Sequence, residues 1–111
     1  MRTIEEIESD LKRGITAAVV PLLTTRDVDA AGLERLVGWA REAATVLKGQ
    51  QHLPRSFLCE LHGVIHILRA EGPFLRDARV KEVADQLEET FSLILLGEEH
   101  GDRQPGVPRV V

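Results

Sequence analysis

A chain of 111 residues with a formal charge of −4, from 18 acidic and 14 basic side chains, is long enough for one domain with a real core and lacks the basic excess a nucleic-acid binder places against phosphate. Its single cysteine, Cys59, excludes an internal disulfide, and no N-terminal stretch has the basic-then-apolar pattern of a signal peptide, so a reducing cytoplasm is the expected setting. The longest apolar runs fall far short of the roughly twenty residues a bilayer demands, so no membrane role is expected.

Four segments then repeat apolar side chains at steps of three and four. In the first, predicted over residues 3–20, Ile4, Ile7, Leu11, Ile15, Ala18 and Leu22 share one helical face, and Thr3 with Glu6 forms a capping box. Gly14 weakens a helix interior by about 1 kcal/mol relative to Ala, and Pro21 crowds the preceding turn, so a kink or early end is predicted near Ala17 to Val20. Ile15 to Leu23, with its paired valines, also fits a strand.

Asp29 caps the second segment, residues 29–48, where Leu33, Leu36, Val37, Ala40, Ala44 and Leu47 form the stripe, Gly49 ends it and Trp39 falls outside it. The third, residues 54–71, opens at Pro54, carries Phe57, Leu58, Leu61, Val64, Ile65 and Leu68, and is expected to stop at Gly72 and Pro73. Asp77 caps the fourth, residues 77–96, whose stripe is read as Val80, Val83, Ala84, Leu87, Phe91, Ile94 and Leu95, with Gly97 as terminator.

Connections of about five residues are too short to run the length of such helices, so consecutive helices should be antiparallel neighbours. The predicted architecture is all-α: an up-down-up-down four-helix bundle over residues 1–97, followed by an extended tail, residues 98–111, whose prolines and glycines forbid a helix.

Glu82, Asp85, Glu88 and Glu89 crowd the fourth helix. They read either as a solvated face or as an acidic surface that steers a basic protein. Phe91 adjoins them, and Leu93 and Leu96 lie off the core stripe, as Trp39 does on the second helix. These apolar groups either lie under the tail, with Val107, Val110 and Val111 folded over the patch, or form an interface, including one with a second copy in which Leu93 and Trp39 meet their equivalents.

Cys59, His62 and His66 share a face of the third helix and are acceptable zinc ligands, although Arg55 and Arg69 project beside them and disfavour a dication. No phosphate loop, nucleophile motif or convincing acid–base pair is present, so no catalytic residue and no cofactor are assigned and an enzyme is not expected.

Residues 13–43, from Arg13-Gly14-Ile15-Thr16 through Pro21-Leu22-Leu23 to Leu33-Glu34-Arg35-Leu36-Val37-Gly38-Trp39, resemble the opening strand and helix of the dihydrodipicolinate synthase and N-acetylneuraminate lyase family. The resemblance covers about a quarter of the chain. It implies a strand at Ile15 to Leu23 and a fragment without activity, since no Gly-Thr-Thr-Gly-Glu segment follows Ala44 and the chain is too short to close a barrel of about 250 residues. In size, acidity and hairpin organisation the chain is also similar to the small helical immunity proteins with which bacteria neutralise toxins. That likeness implies occlusion of a basic surface by the fourth helix and tail. The reading from sequence is therefore a non-enzymatic module that binds another protein or itself, with a metal-binding bundle or a structural homodimer as the alternatives.

Overall fold

The computed structural model describes residues 2–100, in which α1 (Ile4–Thr24), α2 (Ala30–Leu47), α3 (Arg55–Leu75) and α4 (Ala78–Leu95) are the regular elements and no strand occurs among the described residues. The expected tail lies outside the described residues beyond His100. No helix among the described residues is long and apolar enough to cross a membrane.

The helix starts follow local chemistry. The Thr3 hydroxyl accepts the Glu6 N–H at 3.3 Å and donates to the Glu6 carboxylate at 3.2 Å, a variant of the capping box in which the carboxylate takes the hydroxyl proton. Asp29 accepts the Gly32 N–H at 3.0 Å, and Asp77 accepts the Arg79 N–H at 2.9 Å. Pro54 sits one position before α3 and makes no side-chain cap.

Two expected stops are overridden. α1 continues through Gly14 and Pro21 to Thr24, so Ile15 to Leu23 is helical, neither broken near Ala17 to Val20 nor the strand that the lyase-family resemblance implied. α3 continues through Gly72 and Pro73 to Leu75 and ends at Arg76 in the left-handed region, φ 53°. Each proline costs a hydrogen bond to the carbonyl four residues back, and those residues, Ala17 and Arg69, are exposed where water can replace it. Leu22, one residue beyond Pro21, is fully buried, and such packing outweighs local propensity.

The helix partners are set by packing: α1 on α2, α2 on α4, α4 on α3, with a slighter α1–α3 contact. α2 and α3, consecutive in sequence, are not a principal packing pair, which departs from the expectation that all sequential helices are neighbours. The link from Lys48 to Pro54 is seven residues long. At about 3.4 Å per residue it spans the diagonal of a bundle whose helices stand about 10 Å apart.

Bonds at the ends register the helices. Arg2 donates through Nε (2.9 Å) and Nη2 (2.8 Å) to Glu42, joining the start of α1 to the second half of α2. The Arg26 guanidinium meets Glu71 at 2.6 Å, joining the ends of α1 and α3. Gly49 donates its N–H to the Gly97 carbonyl at 3.2 Å, joining the ends of α2 and α4. Both glycines have positive φ, 73° and 74°, which an L side chain rarely adopts. Between the ends, Ile7, Leu11, Leu36, Phe57, Leu61 and Leu87 form the fully buried centre.

Candidate functional site

The outer face of α4 carries the four predicted carboxylates, and Glu82, Asp85, Glu88 and Glu89 are all exposed. They are not a bare acidic patch. Arg69 of α3 reaches across to Asp85 at 2.6 Å and to Glu88 in a second short ion pair, and Lys81 binds Asp85 at 2.9 Å from one turn away. Lys81 and then Arg69 hold the Asp85 carboxyl below its ordinary range, while Glu88 and then Asp85 raise the Arg69 guanidinium above its own. The sequence reading treated Arg69 only as an obstacle to metal binding. Its place on the same face as His62 and His66, at helical spacing, was the available signal for its role as the α3–α4 link.

Below this ion-pair cluster the α3–α4 groove opens into a cleft of about 390 Å³ lined by His62, His66, Arg69, Glu88, Phe91 and Leu95. The half-buried Phe91 ring tilts against His62 with centroids 6.0 Å apart. Two expectations reverse here. Leu95, read as core, is 55% exposed at the cleft, whereas Leu93, read as a surface contact, is fully buried. Leu96 is 54% exposed, as expected of an outward group.

Leu93 lies beneath a local turn. The Gly97 N–H donates to the Ile94 carbonyl at 3.1 Å and the Glu98 N–H to the Leu93 carbonyl at 2.9 Å, a Schellman ending with Gly97 in the left-handed position. The turn returns His100 to Thr90, the one buried polar side chain among the described residues, at 2.9 Å. Because the Thr90 hydroxyl spends its only proton on the Gln86 carbonyl, also at 2.9 Å, it accepts from His100 Nε2–H.

The remaining candidates separate. Trp39 is half-buried and turned against Gly14 of α1, so it and Leu93 are unsuited to the two-fold contact expected of them. Cys59, His62 and His66 are all exposed. Among the described residues no group of three or more His, Cys, Asp or Glu is placed to hold a metal ion, so the Cys59, His62 and His66 set is not assembled as a ligand cluster.

The arrangement is thus an all-helical scaffold with a charged, cleft-bearing α3–α4 face. Compared with known proteins, the chain matches no family model, no curated protein and no solved structure.

Proposed function

We propose that this chain is a non-enzymatic, cytoplasmic helical module that acts by binding protein, in the manner of an inhibitor that covers a basic surface of its partner. The observation that carries this reading is the concentration on one helix of exposed carboxylates, Glu82, Asp85, Glu88 and Glu89, with exposed leucines, Leu95 and Leu96, at its end. Charge brings a basic partner in quickly, and desolvated apolar groups then hold it. Phe91 flanks the leucines and contributes from the cleft, whereas Leu93 and Trp39, turned inward, do not.

The scaffold suits the task. An up-down-up-down path, supported by the end-to-end bonds of Arg2 with Glu42, Arg26 with Glu71 and Gly49 with Gly97, makes α4 a rigid element held by two neighbours. Rigid display lowers the entropic cost of association.

A photo-crosslinking residue placed at position 89 is expected to capture a partner in host extract, and the same residue at position 17, on the outer side of α1, is not. With the partner so identified, Glu82→Lys with Glu89→Lys should slow association at low ionic strength by about tenfold while leaving the fold intact. Equal capture from positions 17 and 89 would remove this reading.

A further inference from the structure

We propose that the α3–α4 face docks a second copy of this chain about a two-fold axis parallel to the helices, with Leu95 of each copy packed over the cleft that His62 and Phe91 of the other line. The proposal rests on the reading that this face binds protein and names the partner.

Charge complementarity is the first argument. The outward column of α3, at steps of four and three, is Arg55, Cys59, His62, His66 and Arg69, all exposed and without a carboxylate. The facing column of α4, at the same steps, is Lys81, Asp85, Glu88, Ser92 and Leu95, also exposed, with Lys81 at its far end from Leu95. Arg69 already lies level with Asp85 and Glu88 within one chain. A two-fold axis along the helices preserves that level, so α3 of one copy lies over α4 of the other and each Arg69 faces a second pair of carboxylates. An axis across the helices would stack α3 on α3, cation over cation. Only the first arrangement is self-complementary.

Shape and size agree. Leu95 is a 55% exposed apolar side chain lining a cleft of about 390 Å³ together with Ile65 and Phe91, so a repeated Leu95 has apolar groups to meet. Two helices about 30 Å long and about 10 Å wide present roughly 600 Å² per copy, at the low end for specific association. The dimer should therefore form at micromolar concentrations and exchange readily.

Sedimentation velocity of the full chain from about 5 to about 200 µM is expected to show mass rising from 12.3 kDa toward twice that value. Leu95→Asp and Ser92→Arg should each weaken the dimer by about tenfold or more, with unchanged helical dichroism. Arg69→Glu and Glu88→Arg should each be monomeric alone and should pair when mixed, because like charges then meet at this level in either homodimer and opposite charges meet in the mixed pair. Wild-type protein that stays at 12.3 kDa throughout, or an L95D variant that dimerises as the wild type does, overturns the proposal. A monomer that still captures a foreign partner through position 89 defeats the self-docking alone and leaves the broader function standing.

Discussion

The indole of Trp39 fills the space that a Cβ on Gly14 would occupy, so α1 and α2 meet there with ring against bare backbone. Leu36 Cδ2 would stand only 3.0 Å from the same Cβ. Gly14→Ala gains about 1 kcal/mol of helix propensity but forces the ring and Leu36 aside at a cost of about 1–3 kcal/mol. A net loss of about 1 kcal/mol is expected, seen as a melting temperature lower by roughly 4–8 °C and a changed Trp39 emission. Gly38→Ala and Gly63→Ala, where a Cβ meets nothing, should raise it instead.

Acid should destabilise the fold over a defined window. Arg2 lowers the carboxyl of Glu42, Arg2 and then Arg13 lower Asp10, Arg79 lowers Asp77, and Lys81 and then Arg69 lower Asp85. Each folded value lies below the unfolded value of about 4, so between the two the unfolded chain binds more protons. The stability these carboxylates contribute is present above about pH 4 and is lost as pH falls through their folded values. Urea midpoints should be level from about pH 7 to 5 and fall below about pH 4, and Arg2→Ala should flatten that fall by lowering the midpoint at neutral pH more than at pH 2.

Leu93 and Leu95, two residues apart, should respond oppositely to truncation. Leu93→Ala removes a fully buried side chain and is expected to cost about 2–4 kcal/mol by chemical denaturation, while Leu95→Ala, measured below the concentration of self-association, should cost less than about 0.5 kcal/mol. Equal effects would mean that the arc of α4 in contact with the bundle is different.

Thr90→Val keeps the volume of a buried side chain but removes the hydroxyl that accepts from His100. A cost of about 1 kcal/mol is expected, with faster amide exchange at Glu98, whose N–H is bonded to the Leu93 carbonyl. Unchanged protection at Glu98 would show that the Schellman turn holds the segment without the histidine.

Much of the fold is legible in the chain because it is local. The caps at Thr3, Asp29 and Asp77, the terminating glycines Gly49 and Gly97 and the 3.6-residue stripes are set within a few residues of backbone, and the helices start where those signals stand. The stops read at Pro21 and Gly72-Pro73 failed because propensity is weak against burial, and both helices continue for three or two residues past the proline. Of the candidate surface, the exposed carboxylates and Leu96 were found from spacing alone. The pairing of Asp85 and Glu88 with Arg69 was not, because it joins residues nineteen apart in the case of Glu88.

What the sequence by itself determined is that this protein is four amphipathic helices with an acidic fourth. The tertiary structure decided their order around the core, since a seven-residue link reaches a diagonal position as readily as an adjacent one. That order places α4 between α2 and α3, and the turn through Gly97 closes the end of α4, where Leu93 is fully buried and Leu95 is exposed at the cleft. Helical period specifies a stripe, but the neighbours on either side of it determine how far burial spreads.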